Sequence, residues 1–352
     1  MLKPSAIKAF LNLPLSFLRS ARSLLALVSG YLTYSRTGKT PDRAYHAMIW
    51  MFCITRGHFN ERLSSLIAKR RPKVRIEHPV GVLGNLDGKR GNDLLKNLRK
   101  DGFLLFPSAL PQETCNQLMK MALNTPATVR RMDSEPENSP RRTAHFEADN
   151  LLATRYDYSP SVLLDTPEVQ ALLADPSILY LVQEYLGCMP LADVLSMWWH
   201  TAFQNKADSN AAQLYHFDLD RLKWLKIFVY LTDVGPQNGP HSFVKGSHNP
   251  GAIPPHLLKR GYARITDEEV NDAFSADACL QFSAPRGSII IEDTRGLHKG
   301  AIVSGDPRLI LQLQFSNSLF GTNYPEARIS KVVDQKLQGM LKQAPEIYRQ
   351  YQ

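Results

Sequence analysis

The four cysteines of this 352-residue chain, Cys53, Cys115, Cys188 and Cys279, lie far apart, and none forms a Cys-x-x-Cys pair. That excludes a disulfide framework and a zinc-knuckle spacing, so a reducing compartment is the expected setting. Long hydrophobic runs are missing too. The longest charge-free run of the N-terminal arm, Ser23–Ser35, has 13 residues, short of the ~20 that a spanning helix needs. Residues 1–36 contain no acid at all. No internal repeat and no low-complexity tract is present, which excludes solenoid and array architectures.

The acid shortage is local. Residues 1–73 hold 13 of the 42 basic residues but only 2 of the 33 acids, leaving 29 basic and 31 acidic residues for the rest. The net +9 therefore belongs to the arm. The remainder is near neutral, and a global attraction to nucleic acid is not indicated. Apolar content of 43% with 21% charged residues is ordinary for a globular chain with a sizeable core.

What is present divides the chain into four stretches. Residues 1–73 read as a basic helical extension: apolar Ile7, Phe10, Leu11, Phe17, Leu18, Leu24, Leu25, Val28 and Leu32 mix with Lys3, Lys8, Arg19 and Arg22, and Pro14 divides them into two short amphipathic helices. Three readings of this arm compete: peripheral contact with an anionic membrane surface, a transit peptide, or helices packed on the following domain. The first and last fit a cytoplasmic protein. Residues 74–94, with Pro79, Gly81, Gly84, Gly88 and Gly91, read as a linker. Residues 95–325 form the main domain, and 326–352 a helical tail. Within the domain, residues 126–160 read as a long loop near a pocket mouth, helices follow near 167–174 and 177–186, and short strands with Gly/Pro turns recur from Leu195 to Leu319. That pattern predicts a mainly β fold with flanking helices (α+β), either closed or double-sheeted.

The stretch that carries chemistry is Tyr215–Asp233. His216 and Asp218 stand two residues apart before a β-branched and aromatic run. Side chains i and i+2 of an extended strand share a face, so both project together. His298, which follows the β run Ile289-Ile290-Ile291, is the candidate third ligand. Two His and one carboxylate on one face of an octahedral ion leave its other positions open, a pattern typical of non-haem Fe(II) oxygenases. A rival pair, His145-x-Glu147, lacks a strand-like run behind it. Ten residues after His298, the strand Arg308–Phe315 alternates Arg308, Ile310, Gln312 and Gln314 against Leu309, Leu311, Leu313 and Phe315. An Arg on such a polar face suits a dicarboxylate, whose oxygens its planar fork takes in pairs; pairing with Asp306 is the plainer reading.

In this order, His216-x-Asp218, the turn Asp233–Pro240, Gly246-Ser247-His248, His298 and Arg308, together with the opening Asp101–Pro107, resemble the phytanoyl-CoA dioxygenase family of Fe(II)/2-oxoglutarate oxygenases over residues 95–325. The resemblance implies a double-stranded β-helix (a cupin-like jelly roll), with Fe(II), 2-oxoglutarate and O2 as cofactor and co-substrates. It implies iron on His216, Asp218 and His298, and Arg308 on the distal carboxylate of 2-oxoglutarate. The expected outcome is hydroxylation of an aliphatic C–H with release of succinate and CO2. The chain departs from the family at Phe217 (often Gln), Gly300 (often a hydroxyl residue) and Lys245 (usually Pro). Tyr215 and Gln314 are the further cofactor-binding candidates; Gln204 and Lys226 are weaker ones, each as readily a core hydrogen-bonding group. His248 is expected to fix its turn, His241 to face the pocket, and His200, Trp198 and Trp199 to be core aromatics. Basic residues for a pocket mouth are Arg130, Arg131, Arg141, Arg142, Lys259 and Arg260. Two other classes stay open: a Zn(II) hydrolase on the same triad, or a catalytically silent cupin-like binding module. The small-molecule substrate, whether acyl-CoA, glycan, amino acid or secondary metabolite, is not chosen by the sequence, and neither is the oligomeric state.

Overall fold

The computed structural model describes residues 15–130, 135, 140, 142–204, 206–207, 211–261 and 263–352, with side chains from residue 19. Its organising segment is the run Trp224–Tyr230. Alternation sends Leu225, Ile227 and Val229 to one side and Lys226, Phe228 and Tyr230 to the other. Among the described residues the strands are β1 (Val80–Gly81), β2 (Gly84–Asn85), β3 (Phe103–Phe106), β4 (Ala127–Val129), β5 (Arg142–Ala144), β6 (Arg155–Asp157), β7 (Leu191–His200), β8 (Trp224–Tyr230), β9 (His241–Val244), β10 (Cys279–Phe282), β11 (Ile289–Glu292), β12 (His298–Gly300) and β13 (Arg308–Ser316). Eight of them form one antiparallel sheet in the order β3-β11-β8-β13-β7-β6-β4-β5, and three form a second in the order β10-β9-β12. The two sheets enclose Phe228, Tyr230, Phe243, Phe282, Ile290 and Ile310 between them. This is the expected jelly roll.

The other face of the large sheet is apolar throughout. Leu225, Ile227, Val229, Leu309, Leu311, Leu313 and Phe315 pack with the helices Gln112–Asn124, Pro167–Leu173 and Pro176–Leu186 in the principal core. Each such side chain contributes roughly 1.5–3 kcal/mol when buried. With stability coming from that face, the opposite face is free to carry Arg308, Gln312 and Lys226 toward the interior.

Three expectations meet corrections here. The 126–160 loop contains β4, β5 and β6, which extend the large sheet beyond β7; three-residue strands are too short to show an alternation. Residues 74–94 are not a free linker: Leu83 and Leu86 are buried, Val82 N–H donates to Asp175 Oδ2 (2.9 Å) and Leu83 N–H to Ser177 Oγ (3.0 Å). The C-terminal stretch has the helix Gln335–Gln343, but Leu337, Ile347, Tyr348 and Tyr351 enter the core, and Tyr351 Oη donates to the Asp193 carbonyl (2.8 Å).

Of the N-terminal arm, residues 1–14 lie outside the described residues. From Leu15 to Thr37 runs one helix, followed by Asp42–Thr55 and His58–Ala68, which meet at Arg56 (φ 52°) and Gly57 (φ 85°) in left-handed conformation. Glu61 ties this arm to the barrel, accepting from Lys223 Nζ (2.7 Å) and Arg295 Nη1 (3.1 Å). Among the described residues no helix is long and apolar enough to cross a membrane.

Candidate metal centre

His216 lies beside β12 of the small sheet, where it and His298 exchange backbone hydrogen bonds, His216 N to His298 O at 3.0 Å and the reverse at 2.8 Å. Asp218 N–H donates to the Thr294 carbonyl (2.8 Å), which holds the chain extended through the pair. The intervening Phe217 points the other way, fully buried and stacked on Phe52 of the arm (centroids 5.6 Å apart, 25° between planes). The result is that ligand atoms of His216, Asp218 and His298 all lie within 4.8 Å of one another. All three side chains are buried.

The donor set suits a divalent metal. His216 Nδ1–H donates to the Leu214 carbonyl (2.8 Å) and His298 Nδ1–H to the Gly296 carbonyl (2.9 Å). Both protons are thereby committed away from the centre, and both Nε2 atoms face it, at 3.8 Å (His216) and 3.3 Å (His298) from Asp218 carboxylate oxygens. Second partners of this kind fix tautomer and ring orientation in metal sites.

Burial pulls His216 well below the ordinary imidazole value, and the neighbouring His298 adds to this, so the His216 ring is neutral. Burial also works against the charged form of Asp218, but Lys226 Nζ at 2.6 Å and the two imidazoles hold it well below the carboxylate range. For His298, burial opposes protonation, yet Asp218 outweighs it and lifts the pKa above 6.5. A proton on His298 thus stabilises the metal-free fold below the ordinary histidine pKa, and this contribution is lost as pH rises through the raised folded value. Because metal must displace that proton, Fe(II) affinity is expected to rise with pH through this window, by up to about tenfold per unit, and then level off. Anaerobic Fe(II) titrations across the window would show this; an affinity indifferent to pH would count against His298 as a ligand.

The triad opens on a cavity of ≈ 290 Å³, also lined by Arg308, Gln312, His200, His241, Lys226 and Asp220. Arg308 is fully buried. It donates through Nη1 to the Gly239 carbonyl and through Nη2 to His200 Nδ1 (2.6 Å), while its Nε has no partner. Burial, then the adjacent Arg308, drives His200 well below the ordinary imidazole value, which keeps Nδ1 unprotonated to accept from Arg308. Gly300 leaves this wall open: a Cβ there would lie 3.3 Å from Arg308 Nη2. A buried guanidinium with an orphaned N–H in a metal-site cavity is the kind of group that fits the distal carboxylate of a 2-oxo dicarboxylate.

Two expected cofactor contacts fall elsewhere. Tyr215 precedes His216 in an extended segment and so faces the opposite way, into an apolar cluster with Phe217, Leu219 and Ile265. Gln314 lies on the predicted face of β13, but the register against β7 shifts between Leu313 and Phe315, and the side chain turns to donate to Asp193 Oδ2 (2.9 Å) instead. Asp193 also receives Arg221 and Ser316 Oγ (2.6 Å), a structural network. Gln314→Ala is therefore expected to leave 2-oxoglutarate affinity unchanged while lowering stability by about 1.5–3 kcal/mol. Denaturation alongside a co-substrate titration tests this, and a weakened co-substrate with intact stability would contradict it.

Of the remaining candidates, Lys226 and His241 face the cavity and Gln204 does not line it. His248 holds its turn, its Nε2–H donating to the Arg99 carbonyl (3.1 Å). His145 and Glu147 are exposed, anchored by Phe146 stacking on Trp199 (4.0 Å), so the rival pair is no site. Among the pocket-mouth residues Arg130 lines the cavity, Arg142 pairs with Glu135 (2.8 Å), Arg260 pairs with Glu269 (2.8 Å), and Lys259 is exposed outside it. Arg131 and Arg141 lie outside the described residues. Sequence reasoning missed Arg155, stacked on Trp198 (4.2 Å) and paired with Asp157 (2.8 Å), as well as Asp220, Tyr324 and the His200–Arg308 pair. It also missed Glu292, which burial raises to about 8 and which shares a hydrogen bond with His241 Nε2 (2.9 Å). No local pattern announces these residues, since β6 is too short for an alternation to be read.

A family model described as phytanoyl-CoA dioxygenase (PhyH) matches residues 98–309. No curated protein sequence matches the chain. Among solved structures, EctD from S. alaskensis in its apoform is similar at 17% identity, covering 72% of this chain and 85% of that one, with a TM-score of 0.46. The epimerase SnoN in complex with Fe3+, alpha ketoglutarate and nogalamycin RO is similar at 20% identity (64% and 82% covered, TM-score 0.44). HygX from Streptomyces hygroscopicus, with nickel and 2-oxoglutarate bound, is similar at 16% identity (69% and 94% covered, TM-score 0.42).

Proposed function

The chain belongs to the phytanoyl-CoA dioxygenase family, and from that premise we propose that it is an Fe(II)- and 2-oxoglutarate-dependent dioxygenase that hydroxylates an aliphatic C–H of a small-molecule, acyl or glycan substrate. The observation that carries this reading is one cavity holding both features: three ligand atoms within 4.8 Å, and a buried Arg308 with an unpartnered Nε. His216, Asp218 and His298 are the iron ligands. Iron, 2-oxoglutarate and O2 together supply the oxidising power: the oxoacid leaves as succinate and CO2, and one oxygen atom enters the substrate C–H bond.

The chain's own residues position and exclude. The two imidazoles arrive with Nε2 presented and need no reorientation on metal binding. Asp218 would supply the single negative charge, and Lys226 Nζ, 2.6 Å from Oδ2, holds that carboxylate ionised and in place. Arg308 takes the far carboxylate of 2-oxoglutarate, with His200 and Gly239 holding its guanidinium plane. Phe228, Trp198 and Ile310 wall the cavity with apolar surface, which keeps bulk water from the reacting centre. A hydrolase on the same triad would leave Arg308 without a role.

The decisive experiment is anaerobic addition of Fe(II) and then 2-oxoglutarate to the metal-free protein. A weak visible metal-to-ligand charge-transfer band is expected once both are present. Iron binding with no band on adding 2-oxoglutarate would overturn the co-substrate assignment.

A further inference from the structure

The helix Leu15–Thr37 is apolar on two opposite faces, and the fold uses only one. Ser23, Ala26, Leu27 and Tyr34 are buried toward the helix Asp42–Thr55 and Phe320. Gly30 approaches that helix so closely that a Cβ would meet the Ala44 Cβ at 2.2 Å. The opposite face carries Leu24, Leu25, Val28, Tyr31 and Leu32, exposed by 44, 70, 63, 46 and 51%. Their spacing places them on a single stripe along the helix. Single exposed apolar residues are normal on a protein surface, but five contiguous ones are not.

The surroundings of the stripe say what covers it. Arg22 and Arg36 on the helix and Lys39 just beyond it are exposed. Residues 1–41 contain six cations (Lys3, Lys8, Arg19, Arg22, Arg36, Lys39) and no acid. Arg19 stacks on Trp50 (3.6 Å) and belongs to the fold; the others border the stripe or precede it. A second copy seated here would bring two acid-free arms together, at an electrostatic cost. An anionic bilayer answers both features at once, taking the leucines among its acyl chains and the cations among its headgroups. Tyr31, half exposed and tilted against Phe320 (5.9 Å), suits the boundary between them. The helix is already folded and braced, so docking costs no ordering of the chain.

We infer that this face seats the protein on an anionic lipid surface, with the helix Leu15–Thr37 lying in the plane of the interface. The test is co-sedimentation of the full chain with vesicles of phosphatidylcholine plus phosphatidylserine, and with phosphatidylcholine alone. Wild type is expected to bind the anionic vesicles and to release as salt rises. Leu25→Ser/Val28→Ser/Leu32→Ser is expected to weaken partitioning by on the order of a hundredfold or more. Arg22→Gln/Arg36→Gln/Lys39→Gln should cost on the order of a hundredfold and erase the preference for phosphatidylserine. All six side chains are exposed, so both variants keep the wild-type melting temperature. Three results would overturn the inference: wild type that stays in solution with both vesicles, a serine variant that binds as well as wild type, or a wild-type dimer that the serine variant converts to monomer.

Discussion

Asp218→Ala is expected to abolish substrate-coupled succinate formation and to reduce Fe(II) affinity by at least about a thousandfold. Two effects combine. The centre loses its only anionic ligand, and Lys226 loses the carboxylate that sits 2.6 Å from its Nζ. Lys226 is largely enclosed, with its side chain 11% exposed, and Asp220 Oδ2 at 3.8 Å compensates its charge only in part. Like unit charges about 4 Å apart repel by about 4 kcal/mol at an effective dielectric of 20, and a dication doubles that. Each 1.4 kcal/mol is a factor of ten, so a repulsion of that order is by itself enough for a loss of a thousandfold or more. The same argument predicts a rescue: Asp218→Ala/Lys226→Met should bind Fe(II) more tightly than Asp218→Ala, although it stays inactive. Retained turnover in the single variant would sink the ligand assignment, and a double variant no better than the single would sink the role given to Lys226.

Arg308→Ala is expected to spare Fe(II) binding and to weaken 2-oxoglutarate by roughly 30- to 5,000-fold, the equivalent of the 2–5 kcal/mol that truncating one member of a buried charge pair costs. The charge-transfer band should vanish at moderate 2-oxoglutarate and return at high concentration. That split separates it from Asp218→Ala, where no concentration of co-substrate restores the signal. Arg308→Lys should recover little, because an ammonium cannot offer the parallel pair of N–H donors. It would also lose the hydrogen bond that the guanidinium gives to His200 Nδ1 at 2.6 Å. Unchanged 2-oxoglutarate affinity in a folded Arg308→Ala protein would remove Arg308 from the site.

These two residues show how far periodicity carries. The His216-x-Asp218 spacing was informative because an extended chain repeats every two residues, and the structure places Phe217 opposite them on Phe52. The alternation of Arg308–Phe315 likewise divided the strand correctly, with Leu309, Leu311, Leu313 and Phe315 in the helix-side core. The same rule ought to have excluded Tyr215, which is one residue from His216 and must point away. Gln314 defeated it for another reason, a register shift against β7 that no local pattern announces. The strands β4 to β6 were invisible because each is three residues long and gains its identity only from pairing.

The sequence by itself determined the mainly β class, the shared face of His216 and Asp218 and the arginine strand, each a consequence of neighbours along one extended chain. The jelly roll and the place of His298 beside that pair came from the family resemblance. Only the tertiary structure decided which groups surround them. His200 reaches Arg308 across 108 residues, Tyr185 reaches Asp293 across 108, and Gln314 reaches Asp193 across 121. It also decided that one apolar face of the helix Leu15–Thr37 is covered and the other bare. Both faces look alike in the sequence, and which one meets Ala44 and Phe320 is settled by how the sheets close, a long-range event that local periodicity does not encode.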